Sequence, residues 1–368
     1  MFYREAGQFK STYAADQQLF PIRQDRIAMA LLLAFAFVGV PLASVAPGLA
    51  GVIDFNYWYN GVIIPFLIFS LAALGLNILT GYAGQLSLGT GAFMAVGAFA
   101  AYNLMLRVPG MPILAAFALA GVIAAAVGLV FGLPSLRIKG FYLAVATLAA
   151  QFFVVWALTK FGWFSNDSSS GVIAAQKIVI LGYAFDAPVK RYLLVLAIVA
   201  VMALAAKNLA RSAIGRAWMA VRDMDVAAEV IGIPMMKTKL LAFAISSFYC
   251  GVAGALFAFA YLGNVEPQAF DLDLSFRILF MIVIGGVGSV LGSLLGAAFI
   301  VVLPILLDIG ATGFERAAGI AVPAGLVSNL TLMLFGALIV FFLAVEPLGL
   351  ARLWQVAKEK LRLWPFPH

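Results

Sequence analysis

The chain offers little to a catalyst. Its single histidine is the last residue, His368, its single cysteine, Cys250, lies inside an apolar run, and no phosphate-cradling Gly-x-x-x-x-Gly-Lys-Ser/Thr occurs. No Cys or His cluster has the spacing of metal ligands, so neither a cofactor nor a metal is expected. Side chains fit for another kind of work gather between Lys207 and Lys239, where six of the 23 basic residues and three of the 16 acids stand between two long apolar runs. A segment this polar cannot lie in hydrocarbon, and what it can do is make charged contact from the water side. Within it, Arg216 to Ile231 lacks Pro and Gly and is rich in Ala, Met, Val and Glu, which favours one helix stopped by Gly232 and Pro234. Ala217, Ala220, Val221 and Ala228 set against Arg216, Arg222, Asp223 and Glu229 give the pattern of a short amphipathic helix on a membrane surface. A solvated linker with incidental helicity has the same composition.

A second set of polar groups sits where charge is absent. LTGYAGQLSLGTGAF interrupts the uncharged run Gly61 to Leu104: Gly81, Gly84, Gly89 and Gly91 weaken a helix, while Gln85, Ser87 and Thr90 offer hydrogen bonds to the backbone groups a break would free. MIVIGGVGSVLGSLLGAAF, with Gly285, Gly286, Gly288, Gly292 and Gly296, interrupts Leu274 to Leu307. Both regions carry Gly-x-x-Gly, at Gly81 and Gly84 and at Gly285 and Gly288, and interrupted helices at related positions in two halves point to a translocation site near the bilayer midplane. The candidate path residues are Gly81, Gly84, Gln85, Ser87, Thr90, Gly285, Gly286 and Gly288. Close packing of helices on small residues explains the same glycines equally well.

The elements that hold these groups are apolar columns. Of 368 residues, 64% are hydrophobic and 11% charged, with a mean hydropathy of +1.07, against about a quarter charged in a soluble domain. The expected class is an all-α integral membrane protein. Runs at 27–46, 61–104 (two crossings), 113–133, 141–159, 192–206, 240–262, 274–307 (two crossings) and 326–345 make about ten spans at roughly 20 residues each. A polar tail over 1–26 precedes the transmembrane region 27–345, and 346–368 forms a second tail. The first run is long enough to span and follows a polar start, so it is expected to be an uncleaved anchor. FSNDSSSG falls in the longest external segment, Lys160 to Arg191.

With both termini cytoplasmic, 16 of the 23 Lys and Arg lie inside, Arg137 and Lys139 among them, and seven outside, in line with the positive-inside bias. That bias accounts for the formal charge of +7, and no basic run or RNA-binding signature speaks for nucleic acid. Asp and Glu are nearly absent from the spans, which disfavours an ion-coupled carrier, and a membrane enzyme would need a catalytic cluster. Any energy must come from another subunit.

GRAWMAVRDMDVAAEVIGIPMMKTKLLAFAISSFYCGVAGAL resembles the cytoplasmic signature loop of ABC importer permeases, and more narrowly the M-type permease subunit of branched-chain amino acid importers. GYAGQLSLGTGAFMAVGAFAAY, PSLRIKGFYLAVATLA and VIGGVGSVLGSLLGAA resemble further blocks of that family, and the four cover most of Leu76 to Ile300 in the family's order. The resemblance implies that Gly215, Arg216, Ala217, Ala220, Arg222, Asp223, Ala227, Ala228, Glu229 and Gly232 form a coupling helix docking on an ATP-hydrolysing subunit. It also implies a multi-pass inner-membrane protein that is not itself an enzyme. Its partners would be a second permease, two cytoplasmic ATPase subunits, a periplasmic amino-acid-binding protein and the lipid bilayer. The solute would be Leu, Ile or Val; urea or a short amide is the alternative, since permeases for these share the blocks. The sequence departs from the family where solute might pass: Thr90 stands where relatives often have His, Phe141 where they often have Asp, and SNDSSSGVIA replaces a glycine-rich external loop.

Overall fold

A computed structural model describes residues 12, 23–45, 54–135, 142–168, 172–180, 182–318, 323–346 and 348–363. Arg137, Lys139 and Phe141 lie outside the described residues, as does nearly all of the N-terminal tail. Among the described residues, eight helices are long and apolar enough to cross a membrane. They are α1 (Asp25–Ser44), α2 (Phe55–Tyr82), α4 (Ile113–Leu133), α5 (Tyr142–Lys160), α6 (Pro188–Arg211), α9 (Met235–Leu262), α11 (Val290–Glu315) and α12 (Gly325–Val345). The other two segments expected to cross are shorter or less apolar: α3 (Thr90–Arg107) has 18 residues and α10 (Leu272–Gly285) has 14. Between α6 and α9 lie α7 (Ala213–Asp223) and α8 (Asp225–Val230), and α13 (Gly349–Leu363) closes the described chain.

Helix ends follow local chemistry. The Asp54 carboxylate accepts from the backbone N–H groups of Asn56 and Tyr57 at 3.0 and 3.3 Å, which starts α2 at Phe55 and draws part of the expected external segment into a helix. Pro188 opens α6, where its missing N–H costs nothing, so that helix takes in Lys190 and Arg191 ahead of the apolar run. Asp271 caps α10 by accepting from Leu274 N at 2.9 Å, which moves that helix two residues earlier than its hydrophobic run suggests.

The centre is built on α2 and α9, whose most apolar windows are 83% and 72% buried, against 0% for α1 and 12% for α12. Small residues set the approach of the helices on α9. A Cβ on Gly251 would stand 2.5 Å from Ala124 Cβ and 3.1 Å from Gly121 Cα, and one on Gly128 would stand 2.8 Å from Ser247 Cβ. Gly97 and Gly254 likewise put the backbones of α3 and α9 in contact. Such contact surfaces hold helices together in lipid, where no hydrophobic drive separates one apolar face from another. Cys250 is buried in this packing.

The segment expected to be an external loop contains short strands. Ile173–Ala174 pairs with Asn264–Val265, and Val179–Ile180 pairs with Tyr183–Ala184, both antiparallel. Strands of two residues carry no alternation, so a hydrophobic pattern does not reveal them. Arg107 anchors α3 beside this segment by donating to Trp163 O at 2.6 Å, its guanidinium carbon 3.7 Å from the centre of the indole ring. At the other end, Lys358 on α13 pairs with Asp25 at the start of α1 at 2.9 Å.

Candidate coupling and translocation site

The polar loop folds as two helices where one was expected. Ser212 caps α7, accepting from Gly215 N at 3.4 Å, and the chain breaks at Met224, whose φ of −159° and ψ of 99° are extended. The break puts Asp225 in the first turn of α8, where a carboxylate is favoured. Lys239 holds Asp225 there at 2.8 Å. Gly232, at φ +89°, ends α8 in a left-handed conformation that side chains disfavour.

α7 buries the expected face and adds one large residue to it. Val221 is buried as its pattern predicts, and Ala217 and Ala220 are half-buried, but the anchor is Trp218, 1% exposed, whose Nε1 donates to Thr238 O at 3.0 Å. Gly215 lies against the carbonyls of Leu209 and Ala210 with no room for a side chain. Arg216 is exposed and donates to Arg211 O at 3.0 Å. Arg222, placed on the water side by its charge, turns inward instead: Nη1 donates to Gly81 O at 2.7 Å, and Asp223 steadies the guanidinium at 2.9 Å. On α8, Ala228 is buried, while Ala227 and Glu229 are exposed, together with Val226, Val230 and Ile231.

Both glycine-broken regions meet under Arg222. The first ends α2 in a π-helical turn, Ile78–Tyr82, and 83–89 then runs without helix to α3. The second forms the turn between α10 and α11. Gly81 lies directly on Gly288, so close that a Cβ on Gly81 would collide with the Gly288 N–H. Gly84 has φ +69°, and a Cβ there would stand 2.8 Å from Arg222 Cγ. Gly288 has φ +80°, and a Cβ there would stand 3.3 Å from Arg222 Nη1 and 3.4 Å from Gly81 O. Gly285 faces Gly292 and Gly296 across the hairpin, and Gly286, at φ +124°, lies against Leu348 O and Ala351 at the start of α13.

Asn77 stitches the two regions: its Nδ2 donates to Ser289 O and Ser293 Oγ, both at 2.8 Å, and its Oδ1 accepts from Gly288 N at 2.8 Å. One neutral amide thus satisfies backbone groups that the turn frees and the packing buries. A lone Asn within an apolar run is the only sequence signal for it.

The other candidates lie deeper. Gln85, Ser87 and Thr90 are 5%, 2% and 1% exposed. Gln85 Nε2 donates to Lys239 O at 3.3 Å and its Oε1 is buried without a partner, while Ser87 Oγ accepts weakly from Gly89 N at 3.4 Å. The free N–H groups at the start of α3 are capped from other helices: Thr147 Oγ1 accepts from Leu88 N at 2.9 Å, Gln151 Oε1 from Ala92 N at 2.6 Å, and Ser275 Oγ from Gly91 N at 2.8 Å. Gln151 Nε2 donates onward to Phe270 O at 2.7 Å, and a Cβ on Gly91 would stand 3.0 Å from Asp271 O. The first turns of α3 and α10 therefore meet inside the fold, joined by Gln151 and Ser275. Thr147, Gln151 and Ser275 were not singled out in the sequence, where each reads as an isolated polar residue in an apolar helix.

Eight helices among the described residues that are long and apolar enough to cross a membrane, gathered around two glycine breaks with a polar loop docked against them, are the build of a multi-pass membrane protein of the transporter-permease kind. The family described as branched-chain amino acid transport system / permease component matches residues 59–343, and the chain belongs to it. Among relatives, the high-affinity branched-chain amino acid transport system permease protein LivM of Escherichia coli (strain K12) is 32% identical over 259 residues, 64% of this chain and 60% of that protein. The chain thus spans about 60% of that relative's length. The probable branched-chain amino acid transport permease protein LivM of Methanocaldococcus jannaschii is 27% identical over 326 residues, covering 78% of this chain and 92% of that protein. The nucleoside ABC transporter permease protein NupB of Lactococcus lactis subsp. cremoris is 28% identical over 120 residues, 33% of this chain and 29% of that protein. No solved structure matches. The chain is thus an ABC permease of the LivM type, a multi-pass protein of the inner (plasma) membrane.

Proposed function

We propose that this chain is one permease half of an ABC importer for branched-chain amino acids, paired with a second permease, driven by two cytoplasmic ATPase subunits and fed by a periplasmic binding protein. The observation that carries the coupling step is the Arg222 contact. A side chain from the polar loop donates to Gly81 O at 2.7 Å and stands against Gly84 and Gly288, so one residue touches the loop's helix and both glycine turns.

The mechanism follows from stiffness. α7 is bound to the spans through buried Trp218 and through Arg222, and α8 extends from it with Val226, Val230 and Ile231 bare. When ATP closes the subunits that hold α8, α7 moves as a lever and Arg222 shifts the contact between Gly81 and Gly288. Gly81 and Gly288 bring no side chains of their own to that contact, so what resists its movement is the set of Asn77 hydrogen bonds that bridges it. Glu229, exposed on α8, is the charge offered to the ATPase groove.

The test is Arg222→Gln in the assembled transporter reconstituted in vesicles. ATP hydrolysis is expected to persist while leucine uptake falls at least tenfold. Wild-type uptake per ATP in that variant contradicts the lever.

A further inference from the structure

We infer that Asp273 and Arg277, one turn apart on the short helix α10, bind the charged end of a zwitterionic amino acid as it crosses the membrane. This rests on the amino-acid importer reading above and supplies the specificity-determining residues that reading lacks.

Depth is the first observation. α10 ends at Gly285, next to the turn that Arg222 reaches from the water side, and a helix rises about 1.5 Å per residue. Arg277 therefore stands about 12 Å, and Asp273 about 18 Å, along the axis from that end, in the middle of a hydrocarbon core about 30 Å thick. The pairing of α10 with α11, Gly285 on Gly292 and Met281 on Gly296, fixes this placement from the neighbouring helix.

Exposure and lack of partners come next. Asp273 and Arg277 are both exposed, and neither belongs to an ion pair found among the described residues, not even with the other. A charge turned to lipid at this depth is strongly disfavoured, so this stripe of α10 faces a polar path. Side chains spaced i to i+4 have Cβ atoms about 5–6 Å apart on one helix face. An acid and a base held so present one acceptor for an ammonium and a planar fork of donors for a carboxylate. An α-amino acid carries those two groups on a single carbon.

The flanking residues fit the rest of such a solute. Phe276 and Phe280 follow Asp273 and Arg277 by three positions, are half-buried, and stack with ring centres 6.1 Å apart, giving an apolar surface beside the charges. A neutral solute such as urea has no use for a separated pair of opposite charges. The pair is also neutral overall, so it can release what it binds, as a conducting path requires.

The experiment measures leucine uptake per ATP hydrolysed by the assembled transporter in proteoliposomes, with Arg277→Gln, Asp273→Asn and Arg277→Lys. The two neutralising changes are expected to lower the ratio at least tenfold, and Arg277→Lys, which keeps the charge but loses the fork, to lower it less. An unchanged ratio in both neutral variants overturns the inference. Failure of both to assemble with the second permease also overturns it, since the stripe would then be a subunit contact. A wild-type transporter that imports no leucine defeats the amino-acid reading itself, and the pair with it.

Discussion

Asn77 and Arg222 do for the two glycine turns what water does for a loop at the surface. Each turn frees backbone groups, and Asn77 takes up the Gly288 N–H and the Ser289 carbonyl while Arg222 takes up the Gly81 carbonyl. Asn77→Leu keeps the volume and removes both ends of the amide, leaving buried polar groups unpaired at about 1–3 kcal/mol. The purified protein in detergent is expected to unfold at a lower temperature; an unchanged midpoint would show that the turn finds other partners. The sequence pointed to both turns through their glycines and to the polar loop through its charge. It did not reveal that one arginine joins them. A helical wheel sends Arg222 to solvent, and only the bare Cα of Gly84 beside it makes the inward path available. The same limit hid Gln151 and Ser275, whose partners lie 59 to 184 residues away in the chain.

Among the elements, α8 is the one built to meet another protein. Val230 and Ile231 are 82% and 72% exposed at its end, beside Glu229, on a segment that the Met224 break turns away from α7. Since these side chains touch little of their own chain, Val230→Asp and Ile231→Asp together are expected to leave expression and membrane insertion at wild-type level. Capture of the ATPase subunits from detergent extracts should fall at least tenfold, and full capture would move the docking surface elsewhere. Glu229→Arg probes the charge on the same helix and is expected to lower ATP-coupled uptake, with normal coupled uptake as the contrary result. Here the pattern was half legible. An amphipathic helix was expected, and its apolar residues were assumed to face the membrane; Ala228 does point inward, but its neighbours at 226, 227, 230 and 231 point out. Composition identifies a surface helix and does not say which of its two faces meets the partner.

For the molecule as a whole, the open quantity is how many times the chain crosses, and contacts between its distant parts constrain that number by parity. Arg222, in the polar loop, touches Gly81 at the end of α2, so the loop and that end share one side of the membrane. Between them run α4, α5 and α6, which are three crossings, and α3, so α3 must make the fourth. Arg222 also lies beside Gly288, where an added Cβ would stand 3.3 Å from its Nη1; α9 and α10 separate Gly288 from the loop, again an even count only if α10 crosses. Lys358 of α13 meets Asp25 at the start of α1, which puts both ends of the described chain on one side. About ten crossings satisfy all three contacts, with the short α10 reaching only about 20 Å along its axis and the strand-bearing segment 264–271 completing its depth. The chain supplies its own means of checking this, because Cys250, its only cysteine, is 1% exposed and should stay silent toward a membrane-impermeant maleimide. Tyr183→Cys, in the external hairpin, is expected to label from outside intact cells, whereas Ile231→Cys and Trp354→Cys should label only after the membrane is opened. Labelling of Trp354→Cys from outside, with Ile231→Cys still protected, would mean that α10 turns back before crossing, and the midplane position assigned to Asp273 and Arg277 would be lost with it.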